Sequence, residues 1–221
     1  MPKVSREYLE NKKEMYVQAA LAVCKKKPLY EVTMKDIIRE CEISQGAIYR
    51  YFSDVDELLV EVVNRCTPNG DYRQKIDDIV ENSLTPVEAI KELFSFMGIY
   101  MENNVTTIGK LLFELTVLMT ISPVRGRKIQ SQIKDGQSSQ YFVSRLYQIA
   151  RAGIASGYFK PVLPEDDILS FISVAFDGIA VNGALIKSYD VPQRGKIHFE
   201  ISRLMETFQA SVLLMLCPDV R

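Results

Sequence analysis

Three helix start signals crowd into little more than twenty residues, at Thr33, Ser44 and Asp54. Thr33-Met-Lys-Asp36 offers a hydroxyl that accepts from an exposed first-turn N–H, and a carboxylate near the positive end of the helix dipole. Ser44 caps Gln45-Gly-Ala-Ile-Tyr-Arg50. Asp54-Val-Asp-Glu57 is a near relative of the capping box and leads into Leu58-Leu-Val-Glu-Val-Val63. Helices that restart so often are short and joined by three or four residues, which is the helix-turn-helix arrangement. Ile37, Ile38 and Ile48 supply the wedge between the first two, Phe52 closes it from below, and the leading residues of the second project outward. Upstream, Ser5 caps a helix predicted to run to about Lys27, with Tyr16, Ala20, Val23 and Cys24 on one stripe. Pro28 stops it.

Composition limits what such a chain does. Its 221 residues are 47% hydrophobic and 25% charged, enough to bury a core, so bulk disorder is excluded. Cys24, Cys41, Cys66 and Cys217 form no C-x-x-C pair and read as small buried hydrophobes. His198 is the sole histidine, which excludes a two-histidine metal site, and nothing around it resembles a nucleophile elbow. No enzyme activity, metal or cofactor is expected. The apolar stretches Leu111–Ile121 and Phe171–Ile186 are interrupted by Glu114, Asp177 and Asn182, and the first residues are polar, so no membrane span or secretory signal is expected and the cytoplasm is the predicted location. Residues 1–53 hold ten basic and seven acidic groups, a net +3; the remainder holds 17 and 21, a net −4. A basic head on an acidic body points to a polyanionic partner.

Tyr16-Val-Gln-Ala-Ala-Leu-Ala-Val-Cys24, Val32-Thr-Met-Lys-Asp-Ile-Ile38, Ile43-Ser-Gln-Gly-Ala-Ile-Tyr-Arg-Tyr-Phe52 and Asp56-Glu-Leu-Leu59 together resemble the DNA-binding head of the TetR family of transcriptional regulators. The resemblance covers roughly residues 10–63 and is densest from Ser44 to Phe52, where the G-x-x-Y-x-Y-F spacing stands. It departs where Pro28 and Glu42 replace glycine and where Val55 replaces lysine. Pro28 cannot take a positive φ, so the link after the first helix must turn differently. Glu42 is expected to carry left-handed strain and places a negative charge beside DNA.

The residue chemistry assigns roles in the head. The amide of Gln45 can donate to and accept from an adenine edge, and Arg50 can pair with guanine or phosphate. Ala47 is small enough for close approach and for contact with a thymine methyl. Gly46 removes a side chain at an expected point of crowding. The resemblance implies phosphate contacts for the Tyr49 hydroxyl and for Thr33 and Lys35 at a helix start, with the Tyr51 ring partly in the core. Ser44 belongs to the same interface, and Lys3 and Arg6 are candidates for a basic arm. The alternative is that Tyr49 and Tyr51 are core aromatics and Lys35 a solvated charge.

The expected fold class is all-α: an N-terminal three-helix helix-turn-helix head, residues 1–66, and a C-terminal helical ligand-binding and dimerisation body, residues 67–221. Thr85-Pro86-Val-Glu88 starts a helix carrying Ile90, Leu93, Phe94, Met97 and Met101; Leu111–Ile121 forms another, which Ser122-Pro-Val-Arg-Gly-Arg127 breaks. A helix over about 133–156 ends at Gly157 and Pro161, and two more span about 164–187 and 195–216. Phe94, Met97, Met101, Phe113, Tyr147 and Phe176 are core residues or the lining of a site for a small, largely apolar effector. Glu114 either recognises a cationic or hydrogen-bonding ligand or faces water. Ala175, Gly178, Ile179 and Asn182 on one of the last helices, with Ile201, Leu204, Met205, Phe208 and Val212 on the other, are the expected homodimer interface.

The resemblance implies a homodimeric repressor on a near-palindromic double-stranded operator, its half-sites roughly 34–36 Å apart or a multiple of that. Effector binding would lower operator affinity. Two other functions follow from other readings of the same residues: a helical regulator with a weakened head that acts through protein contacts, kept open by Glu42 and Val55, and a small helical enzyme or lipid carrier, for which no constellation is present.

Overall fold

A computed structural model describes residues 5–67, 71–134, 138–189, 191 and 199–217. Its helices are α1 (Arg6–Lys26), α2 (Met34–Cys41), α3 (Gln45–Ile48), α4 (Val55–Cys66), α5 (Asp71–Asn82), α6 (Pro86–Asn104), α7 (Lys110–Ile121), α8 (Pro123–Gln130), α9 (Ser138–Ala155), α10 (Glu165–Tyr189) and α11 (Ile201–Leu216). The fold is all-α, and no strand occurs among the described residues. His198, Lys3 and residues 195–198 of the last expected helix lie outside the described residues.

Two compact units divide the chain: Met1–Thr67 with Leu111–Gly136, and Pro68–Lys110 with Gln137–Arg221. The first stretch of unit 1 runs through Thr67, and unit 1 also takes in α8 and α7 from Leu111 onward. Its core joins Tyr16, Ala20, Val23 and Cys24 of α1 to Ile37, Ile48, Phe52 and the apolar face of α4. Ile38, the third wedge residue, is half-buried. Each start signal is visible as a hydrogen bond: the Ser5 hydroxyl accepts from the Tyr8 amide, Thr33 and Asp36 form a reciprocal box, and the Asp54 carboxylate accepts from the Glu57 amide. Ser44 is the exception. It stands in the cap position with extended backbone, but its hydroxyl makes no capping bond.

The link after α1 solves the problem posed by Pro28 without a left-handed residue. Pro28 is extended at φ −60° and ψ 143°, and a 3₁₀ turn follows over Leu29–Glu31. At the other end of the unit, Ser122–Arg127 does more than break a helix. Pro123 occupies the first turn of α8, where its missing N–H costs nothing. A Cβ at Gly126 would lie 2.7 Å from the Met119 Cα, so only glycine lets α8 fold back this closely on α7.

In unit 2, α6 and α11 lie side by side. A Cβ at Gly98 would meet the Met205 Cβ at 3.4 Å, and one at Gly183 would come within 3.0 Å of Ile201 Cδ1. Phe94 is held edge-on by Phe208 and Phe142, with centroids 4.9 and 5.7 Å away, and Phe142 also lies 5.2 Å from Phe176. α5 is not among the expected helices; it buries Tyr72, Ile76 and Ile79 along one face. Between α6 and α7 the helix does not stop but widens into a π segment, Val105–Gly109. The run Pro86–Ile121 is therefore 36 residues long, and with α10 it is long and apolar enough to cross a bilayer by length and composition. Both runs serve as core helices here, burying Ile90, Leu93, Phe94 and Met97 on one and Ile168, Ile172 and Phe176 on the other.

Candidate nucleic-acid interface

The reading edge of the head is built from two caps and one turn. The Thr33 hydroxyl accepts from the Asp36 amide, and Asp36 Oδ2 accepts from the Thr33 amide at 2.9 Å and from its hydroxyl at 2.6 Å. Lys27 Nζ adds an ion pair to the same oxygen at 2.6 Å. These donors, Lys27 foremost, hold the Asp36 carboxyl down at about 2. α2 then ends in a Schellman motif. The Ile43 amide donates to Ile38 O and the Glu42 amide to Arg39 O, with Glu42 in the left-handed region at φ 54° and ψ 39°. Glutamate thus occupies the place where glycine is normally found, and the strain expected there is present.

α3 is a single α-turn, Gln45–Ile48, shorter than the helix expected to run from Gln45 to Arg50. The chain continues as a turn in which the Tyr51 and Phe52 amides both donate to Ile48 O, at 2.9 and 3.1 Å. Ile48 and Phe52, fully buried, anchor it. Ser44, Gln45, Gly46, Tyr49 and Arg50 are exposed, as are Thr33 and Lys35 on α2, while Ala47 and Tyr51 are half-buried. Tyr49 is 45% exposed, so it is not a core aromatic. The Tyr51 ring lies edge-on to Tyr16, centroids 5.3 Å apart. Gly46 is not crowded in the protein itself, since an added Cβ there would meet nothing within 4 Å. Arg6 is exposed at the start of α1.

The residues expected to line an effector site fall in both units. Phe94, Met97, Met101, Tyr147 and Phe176 belong to unit 2, and Phe113 and Glu114 to unit 1. Phe94 and Phe176 fill the aromatic core, and Met97 is buried. The Tyr147 hydroxyl is spent on Leu169 O at 2.6 Å and Ser173 Oγ at 2.5 Å. Glu114 does not face water: it is fully buried, and its Oε2 accepts from the Leu29 amide at 2.9 Å. The sequence reading missed a second aromatic group in unit 2, in which the Tyr72 ring lies 4.8 Å from Tyr100 and 5.8 Å from Phe96. Burial pushes the Tyr100 hydroxyl up to about 12 and raises that of Tyr72 further. The spacing of Tyr72 gave no sign of this, because its partners come from another helix.

The expected dimer stripe is also divided. Ile201, Met205, Phe208 and Val212 of α11 are buried within the chain, and Leu204 is half-buried. On α10, Ala175 and Ile179 are half-buried and Gly178 and Asn182 exposed. The exposed apolar residues nearby are Phe171, Val174 and Val181, which with Gly178 alternate at spacings of three and four along one helix face.

Comparison with known proteins agrees with this geometry. The family model described as bacterial regulatory proteins, tetR family, matches residues 17–62, which run from α1 to α4. An HTH-type transcriptional regulator of Bacillus subtilis, YfiR, itself uncharacterised, is 27% identical over 193 residues, covering 82% of this chain and 84% of its own. A TetR transcription regulator from Haloarcula marismortui superposes with a TM-score of 0.61 at 14% identity, covering 94% and 97% of the two chains. The regulator FadR of Bacillus subtilis, solved in complex with stearoyl-CoA, superposes with a TM-score of 0.56 at 15% identity, covering 91% and 97%. The match places the likeness in the head: from α1 through α4 the chain is similar to the tetR family of bacterial regulatory proteins.

Proposed function

We propose that this protein is a ligand-responsive DNA-binding repressor in the cytoplasm, which holds a near-palindromic operator as a homodimer and is released by a small, largely apolar effector. The observation that carries the reading is the exposure of Gln45, Tyr49 and Arg50 beside Thr33 and Lys35, on a turn whose own anchors, Ile48 and Phe52, are buried. Donors to phosphate and a pair of base-reading side chains then share one edge. The dimer surface we assign to the exposed face of α10, Phe171, Val174, Gly178 and Val181, because the α11 stripe is already used inside the chain. An apolar effector is supported by the apolar and aromatic content of unit 2 and by the stearoyl-CoA held by one protein of similar fold.

The test is selection of duplexes from a random pool by the full chain, followed by a gel shift across a salt series. Specific retardation that weakens steeply with salt supports the reading, since phosphate contacts release counterions. Tyr49→Ala is expected to weaken operator binding about ten-fold with normal folding and unchanged mass in sedimentation. If no duplex is enriched, the head does not read DNA, and a regulator acting through protein contacts becomes the better account.

A further inference from the structure

The α7–α8 hairpin of unit 1 carries polar groups that the proposed DNA contacts leave unused. Glu114 sits within Leu-Leu-Phe-Glu-Leu, an otherwise apolar run, and is fully buried. A carboxylate is tolerated there only when donors surround it. One donor is the Leu29 amide, at 2.9 Å. Leu29 opens the 3₁₀ turn straight after Pro28, so its N–H has no carbonyl of a preceding turn to meet. Arg125, on α8, takes the same turn from its other polar side: Nη1 donates to Tyr30 O at 3.3 Å. Its Nε and Nη2 converge on Asp56 Oδ1 at 2.8 and 2.7 Å, and Lys128 Nζ reaches Asp54 Oδ2 at 3.2 Å. Asp54 is the cap of α4 and Asp56 lies in its first turn.

The hairpin therefore grips the chain at two places, residues 29–30 just before α2 and residues 54–56 just after the turn that ends α3. Between them lies the whole reading segment, Thr33 to Phe52, whose outward side chains are left exposed. We propose that Glu114 and Arg125 are positioning residues for DNA recognition: by clamping both ends of the α2–α3 segment they set where Thr33, Gln45, Tyr49 and Arg50 stand, without touching DNA. This rests on the DNA-binding reading above. It assigns the isolated acidic residue of α7 to the architecture of the head, and it makes the hairpin part of the DNA-binding apparatus although it lies far along the chain.

The test uses the full chain and the duplex that the chain itself selects, with affinity read by fluorescence anisotropy and amide exchange read in parallel. Glu114→Gln keeps an acceptor for the Leu29 amide and is expected to bind within about two-fold of the parent. Glu114→Leu and Arg125→Ala are expected to lose about five-fold or more while melting temperature and sedimentation stay unchanged. Exchange at Leu29 in Glu114→Leu is expected to quicken while that of Ile37 in α2 does not. Arg125→Asp is expected to bind weakly and to recover when Asp56→Arg is added. Unchanged affinity in both Glu114→Leu and Arg125→Ala, or losses that only follow a general fall in melting temperature, would overturn the proposal. Should Glu114→Leu not fold, the partly exposed Arg125 and its charge swap decide alone. If the parent enriches no duplex, the DNA-binding reading fails and the role in recognition with it; exchange at Leu29 then reports only on the clamp.

Discussion

Asp36 and Glu42 stand at the two ends of α2 and pull stability in opposite directions. Asp36 closes the box with Thr33 and takes Lys27, and these donors lower its carboxyl from 3.8 to about 2. A depressed folded value stabilises the folded state above the unfolded value and loses that contribution as pH falls from about 4 toward 2. Asp36→Asn is therefore expected to shallow the acid limb of a urea-stability profile in that window and to cost about 1 kcal/mol at neutral pH. An acid limb identical to that of the parent would show that the Lys27 and Thr33 bonds do not persist in solution. Glu42 works against the helix it terminates, because a side chain in the left-handed region meets its own backbone. Glu42→Gly is expected to stabilise the chain by about 0.5–1 kcal/mol, the relief of strain exceeding the extra freedom glycine gives the unfolded state. It also removes a negative charge beside the reading edge, so operator affinity is expected to rise. A lower melting temperature would mean the left-handed turn is not strained.

At the scale of an element, α3 shows why a turn this short can hold a fixed place. Four residues cannot sustain a helix by their own hydrogen bonds. Ile48 and Phe52 hold it from beneath, and Tyr51 braces against Tyr16. Its outer surface is then free of structural duty. Gly46 lies on that surface with open space around it. Gly46→Ala is expected to keep or raise the melting temperature, because alanine favours the helix by up to about 1 kcal/mol. It is expected at the same time to weaken operator binding several-fold, the added methyl meeting DNA where the protein offers no obstacle. Unchanged affinity would place DNA away from this position. Gly153 in α9 is a glycine of the other kind. A Cβ there would come 2.2 Å from Phe159 Cδ2, so its need is internal packing.

For the molecule as a whole, unit 1 is assembled from two stretches separated by the first part of unit 2. A head cut after residue 66 keeps α1 to α4 but loses Glu114, Arg125 and Lys128. The Leu29 amide is then left without its buried acceptor, and one missing partner of this kind costs about 1–3 kcal/mol. Residues 1–66 expressed alone are expected to melt about 10 °C or more below the parent chain, on the usual dependence for a domain of that size. Circular dichroism melts of the two decide this. A fragment as stable as the parent would make residues 1–66 a self-sufficient domain and the hairpin an ornament.

What a single sequence determines here is what depends on neighbours along the chain. Caps reach two or three residues, so Thr33 with Asp36, Asp54 with Glu57 and Thr85 with Glu88 marked their helices correctly. The outward set of the head followed from the same local spacing, because a short helix has few ways to bury Ile48 and Phe52. Tertiary structure decided whatever depends on which helix lies opposite. Periodicity identifies an apolar face but not its partner, so the α11 stripe read as a dimer surface while α6 was already covering it. Ser122–Arg127 read as a break because the reason for Gly126, the backbone of Met119, belongs to another turn of chain. Glu114 is the clearest case. A charge in an apolar helix faces water or a ligand unless some distant donor claims it, and one donor here is an amide 85 positions away, next to a proline that the sequence reading took as the stop of the first helix and a departure from the family pattern.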